Sequence, residues 1–253
     1  MEAEIVIICI VSFFAGFIDS IAGGGGLIQT PAILLLFPQF PVATLLGTTK
    51  IPSLSGTMFS AYLYSKKVEV NFRIFTILIP AAFAGAFLGS WVITLIEDDF
   101  IKPAILVILT LVAIYTFLNK SLGETTYRKT EIRKQMIIGS LFGFVIGFYD
   151  GMIGPGTGSF FILAFIVFLG FDFLTAAANA KMLNVATNIA SIALFASTGN
   201  ILYRLAIPMA ICNVCGAFLG TKLALLKGNK FIRAFFLIVV VATIMRFAIE
   251  IFQ

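Results

Sequence analysis

The chain has 253 residues, of which 60% are hydrophobic and only 11% charged, with a formal net charge of +5 and no histidine. A soluble domain is about half apolar and about a quarter charged, so this composition excludes a soluble globular fold and points to an integral membrane protein. The excess base lies in short stretches between apolar runs, which marks it as a topology signal and excludes nucleic acid as a partner.

The amino terminus carries Glu2 and Glu4 and no base before its apolar stretch. It therefore lacks the basic region of a signal peptide and reads as the first membrane segment, residues 5–22. That segment holds Gly16-Phe17-Ile18-Asp19 and runs into four glycines at 23–26. The stretch 27–37 that follows would be about 16 Å long as a helix, too short to cross a hydrocarbon core of about 30 Å. A V-shaped pair of short helices with the glycines at its tip fits best, and two tilted crossing helices are the alternative. Residues 43–64, 72–96 and 101–118 then make three spans, followed by a polar connector at 119–135. The second half follows the same order: Gly147-Phe148-Tyr149-Asp150, a second break at 154–158, and spans at 175–195, 205–226 and 231–252.

A shift of 131 residues superposes the halves without a gap. Gly16, Phe17 and Asp19 fall on Gly147, Phe148 and Asp150, Lys50 falls on Lys181, and Arg73 on Arg204. The pentapeptide GAFLG at 85–89 recurs unchanged at 216–220, and Phe100-Ile101-Lys102 matches Phe231-Ile232-Arg233. Agreement among Leu and Ile is cheap in such a chain, whereas agreement at Asp, Lys and a run of five is not. The sequence divides into a first repeat at 1–118, the connector at 119–135 and a second repeat at 136–253.

Charge orients the repeats. Lys66, Lys67 and Arg73 in the loop 65–73, five basic residues in the connector, and Lys227, Lys230 and Arg233 near Gly228 mark the cytoplasmic side. The stretches 37–41, 97–102 and 197–204 hold little base. The loop 65–73 and its repeat partner 196–204 thus face opposite sides. The expected fold is an all-α polytopic membrane protein with two inverted-topology repeats, each with three full spans plus a glycine-broken pair of short helices. Both termini lie on the outer side of a bacterial-type inner membrane.

Unwound backbone at membrane depth is tolerated only where protein buries it or a watery cavity receives it, and inverted-repeat transporters keep substrate at such breaks. Glycine admits close approach and positive φ, and N–H groups at the following helix start attract anions. Gly24, Gly25, Gly26 and Gln29 in the first break, with Pro155, Gly156 and Thr157 in the second, are therefore candidate substrate ligands. Tight helix packing is the competing account of the glycines. Lys50 and Lys181 each lie about 10 Å into a span, too deep to snorkel at little cost. They suit an anionic ligand, or they neutralise Asp19 and Asp150 in internal salt bridges. Both readings stand, and the aspartates are candidates for coupling or gating. Thr48, Thr49 and Ser53 flank Lys50, and Asn179, Asn184 and Asn188 flank Lys181, where they form a substrate-facing polar side or bond between helices. Cys9, Cys212 and Cys215 lack metal-ligand company and read as buried small hydrophobes. No catalytic constellation, metal site or cofactor motif emerges, and Ser53 with Lys50 alone does not make an enzyme.

The segments FIDSIAGGGGLIQTPAILLL, ATLLGTTK, FYDGMIGPGTGSFFI and NAKMLNVATNIASIALF, in this order and spacing, resemble the TauE/SafE membrane transporters, also called the toluene-sulfonate uptake permease family. Thr49 departs from the large bacterial branch that the first motif most resembles, where asparagine precedes the lysine. The resemblance implies secondary transport of a small sulfur-containing anion, sulfite or an organosulfonate, across the lipid bilayer. It places the functional positions at the two breaks, Lys50, Lys181 and their polar neighbours. Proton coupling through Asp19 and Asp150 fits an alternating-access carrier. An anion channel and a cation transporter built on the two aspartates are the rivals, and homo-oligomerisation is left open.

Overall fold

The computed structural model describes residues 2–68, 72–96 and 132–252. Every regular element among them is a helix: α1 (Glu2–Ala22), α2 (Gly26–Leu36), α3 (Val42–Ser65), α4 (Phe72–Ile93), α5 (Ile132–Met152), α6 (Thr157–Leu169), α7 (Phe173–Ser197) and α8 (Tyr203–Phe252). α8 breaks at Gly228, whose φ of 67° leaves the helical region. The span expected at 101–118, the acidic loop at 97–102 and the connector as far as residue 131 lie outside the described residues.

Four helices are long and apolar enough to cross a membrane: α1, α4, α5 and the first part of α8, Tyr203–Ile232. Phe14, Phe87, Trp91, Leu141 and Ile211 stand exposed on these helices among the described residues, apolar surface of the kind that lipid covers. α3 and α7 have the length, 24 and 25 residues, but carry lysine, hydroxyl and amide side chains. They pack on each other at the centre of the bundle, with those polar groups buried. The all-helical polytopic fold is thus the expected one. The broken pair differs in one respect, since its arms are unequal. α1 is a crossing-length helix of 21 residues and only α2, with 11, is short. The acidic first turn, Glu2 and Glu4, favours a helix start there and lets the apolar run extend back to the terminus.

The repeat is visible in the elements. α2 and α6, α3 and α7, and α4 and α8 each begin 131 residues apart. Packing follows the same exchange, with α1 lying on α8 as α5 lies on α4. GAFLG is the seam of both contacts. Gly85 and Gly89 meet the backbone of Phe144 and Phe148, and Gly216 and Gly220 meet that of Phe13 and Phe17. Any side chain there would push the helices apart, so this copy of the repeat serves close approach. Of the cysteines, Cys9 and Cys212 are half-buried, while Cys215 stands exposed on an apolar crossing helix and is not the buried residue expected.

Local signals anchor the lysine-bearing helix α7. α6 ends at Gly170 in the left-handed region (φ 72°), with the N–H groups of Gly170 and Phe171 donating back to Ile166 and Phe165. Asp172 then caps α7, its carboxylate accepting from the N–H groups of Leu174 and Thr175 at 3.0 Å each.

Candidate functional site

The two glycine breaks touch. Ser159 N–H donates to the carbonyl of Gly23 at 3.1 Å, and Ser159 Oγ donates to that of Ala22 at 2.7 Å. A Cβ on Gly23 would strike the Gly158 backbone, and one on Gly158 would strike Gly23. Gly23, Gly154 and Gly156 all have positive φ, 76°, 90° and 81°, a conformation open to glycine at little cost. The breaks are therefore more than a packing face, because they bring the start of α2 and the start of α6 to one place.

The lysines reach across to the opposite half. Lys50 Nζ on α3 donates to Asp150 Oδ1 at 3.1 Å and to the Asp150 carbonyl at 2.5 Å. Lys181 Nζ on α7 donates to Asp19 Oδ2 at 2.6 Å and to the Asp19 carbonyl. Each lysine thereby also meets a carbonyl in the last turns of α5 or α1, where cations are favoured; the Asp19 carbonyl accepts from Gly23 N–H as well. The four charges cancel in two buried pairs, which is the salt-bridge reading the sequence allowed. The pairs differ in access, since the Asp19 side chain is 24% exposed and that of Asp150 only 6%.

Between the breaks lies a polar cavity of about 40 Å³, room for a few water molecules. Of the expected residues, Gly26, Gln29, Thr49, Lys50, Ser53, Gly156, Thr157, Asn184 and Asn188 line it, together with Asp19 and Asp150. A side pocket of about 10 Å³ adds Gly25. The other expected residues stand off the wall. Lys181 is fully buried behind Asp19. Thr48 Oγ1 donates to the Thr44 carbonyl and accepts from Leu202 N–H at 2.9 Å, tying α3 to the start of α8. Asn179 Nδ2 donates back to the Thr175 carbonyl at 2.6 Å. The Pro155 carbonyl accepts from Tyr149 Oη at 2.6 Å, and Gly24 lies in the break itself without facing either pocket. A larger cavity of about 490 Å³ between α3, α4 and α7 has a wall of mostly apolar side chains such as Met58, Phe83 and Val185.

Sequence reasoning placed Gly154 and Gly158 in the second break as functional positions, whereas Thr30, Thr57 and Asn213 were not named as ligands. Thr57 lies seven residues after Lys50, on the same helix face, and Asn213 is a lone amide inside an apolar span; both were readable signals. Three polar atoms of the cavity residues are buried without a partner among the described residues: Gln29 Nε2, Asp150 Oδ2 and Asn184 Oδ1. The amide of Gln29 is oriented by Asn213, whose Nδ2 donates to Gln29 Oε1 at 3.3 Å and to the Ser12 carbonyl at 3.2 Å. The residues lining the cavity thus combine donor side chains, Lys50 and Gln29, with acceptors, Asp19, Asp150 and Asn184.

Residues 8–247 match the model of the family described as Sulfite exporter TauE/SafE. A protein of Haemophilus influenzae named "Probable membrane transporter protein" is 37% identical over 233 residues, 90% of this chain and 88% of its own length. A counterpart from a Sinorhizobium species is 35% identical over 94% of this chain and 89% of its own. A third, from Escherichia coli, is 33% identical over 93% and 85%. No solved structure matches the chain significantly.

Proposed function

The chain belongs to the sulfite exporter TauE/SafE family, and from that membership we propose that it is a secondary transporter moving a small sulfur oxyanion across the bacterial inner membrane by alternating access. The observation that carries this reading is the reciprocal pair of buried lysine–aspartate bridges beside a polar cavity where two broken helices begin. Relatives named as membrane transporters favour carriage over catalysis. The cavity volume, about 40 Å³, suits sulfite better than a bulky organosulfonate.

With both aspartates ionised the site is neutral, so an anion entering alone would leave a buried net negative charge. A proton arriving with sulfite lowers that cost by one charge, and Asp19 and Asp150 are the groups that would receive it or hydrogen-bond to it. The two repeats, 1–118 and 136–253, insert in opposite orientation, with the connector 119–135 cytoplasmic and both termini outside, as the basic loops indicate. They rock about the touching breaks. A channel is disfavoured because the cavity is small, about 40 Å³, where a pore needs a continuous polar path. A cation would have to displace a lysine from each aspartate. Proteoliposomes holding the purified protein test the reading. A proton gradient should drive sulfite uphill with saturation, and unitary currents or sodium-driven flux would overturn it.

A further inference from the structure

Residues that line the cavity between the breaks include buried hydrogen-bonding atoms of both kinds that have no partner among the described residues. Gln29 is 1% exposed and its Nε2 is one of them, while Asn213 holds its Oε1 and so fixes which end of the amide is the free one. That free end is a donor. Asp150, 4% exposed, gives Oδ1 to Lys50 and leaves Oδ2 unpartnered, and Asn184, 5% exposed, leaves Oδ1 unpartnered. Those atoms are acceptors, and all three residues line the same cavity. A fully deprotonated oxyanion could accept from Lys50 and Gln29. It would leave both acceptors unmet and would set its own charge against Asp150, and buried acceptors without a partner are costly.

We propose that the transported species is a hydrogen-bearing oxyanion, of which bisulfite in its hydroxyl form is the sulfur member. Its oxygens accept from Lys50 Nζ and Gln29 Nε2, and its O–H donates to Asp150 Oδ2 or Asn184 Oδ1. The inference rests on the reading of this cavity as an anion site. The proton then rides on the substrate, anion and proton cross as one ligand, and each aspartate keeps its lysine. Among the described residues the other charged or titratable groups around Asp150 are Lys50 on α3, Tyr149 on its own helix, whose hydroxyl is engaged by Pro155, and the Asp19–Lys181 pair beside Tyr64. None of these supplies a free proton donor to Oδ2.

Calorimetric titration of the whole protein in detergent, without oxygen, compares sulfite with methanesulfinate on both sides of the second ionisation of sulfite. Methanesulfinate keeps the single charge, the two acceptor oxygens and the sulfur lone pair and puts a methyl where bisulfite has its hydroxyl. On the acid side sulfite should bind about tenfold more tightly than methanesulfinate, about 1.4 kcal/mol. Its apparent affinity should fall as the bisulfite fraction falls, and paired buffers of different ionisation enthalpy should report no proton uptake on the acid side. Equal affinity for the two ligands, or proton uptake on the acid side, would put the proton on the protein and overturn the proposal while leaving the anion site standing. Binding of neither ligand would remove both.

Discussion

Lys50 and Asp150 stand 100 residues apart in the chain and meet at 3.1 Å across the two halves. Their equivalents Lys181 and Asp19 meet at 2.6 Å in the reverse sense. Neither half of the chain satisfies its own buried lysine, so the halves are bound by reciprocal charges at the place where a substrate would divide them.

The Lys181–Asp19 pair should behave as a structural unit. Lys181 is fully buried, and Lys181→Gln leaves a charged Asp19 facing no cation, which should cost about 3–5 kcal/mol. Adding Asp19→Asn should restore most of that. Thermal unfolding in detergent reads both steps, and a double variant no more stable than the single one would show that the pair is not the cause.

Gln29 should act on affinity rather than on folding. Gln29→Leu removes the unpartnered Nε2 and the contact with Asn213, so sulfite should bind about tenfold more weakly. The unfolding temperature should stay close to that of the parent. Unchanged affinity would take Gln29 out of the site.

The breaks should tolerate no side chain. Gly23→Ala puts a methyl into the Gly158 backbone at positive φ, and the variant should fail to yield a monodisperse protein. Gly199 also has positive φ, 73°, but open space around it. Gly199→Ala should therefore cost only the left-handed backbone penalty, about 1–2 kcal/mol. Size-exclusion profiles of the two variants distinguish steric contact from backbone conformation.

Opposite insertion of the repeats makes a labelling prediction. In a background lacking Cys9, Cys212 and Cys215, a cysteine at Ser65 should react with an impermeant maleimide only from the cytoplasmic side. One at Ser197, near its repeat equivalent, should react only from outside. Labelling of both from one face would rule out the inversion.

Much of this was legible because membrane chains make polar residues conspicuous. Asp19, Lys50 and their repeats stood out against apolar surroundings, and four successive glycines could not be ordinary helix. The pairing was less legible. Position along the chain tells how deep a lysine lies and says nothing of which aspartate it meets, so the crossed arrangement needed the assembled fold, in which Lys50 reaches Asp150 and Lys181 reaches Asp19. Lys181 and Asn179 read as ligands because they share a polar helix with Asn184, but one turn of helix separates groups that line the cavity from groups that bond behind it. Asn213 was visible as a lone amide in α8, yet its task of orienting Gln29 depends on α8 packing along α1. The short second arm was legible, at 11 residues; the first runs further than 5–22 because the helix starts at Glu2, with two acidic residues in its first turn.

Each bridge in this protein is the image of the other, with lysine from one copy and aspartate from the second. A contact in which residue i meets j and the second i meets the second j is the signature of a two-fold pair of identical subunits. A half-length chain with a single lysine and a single aspartate could close both bridges only by dimerising. The single chain thus carries the contact that a homodimer of such half-length chains would make, with two copies free to differ. Gln29 on one side and Phe160 on the other show that difference.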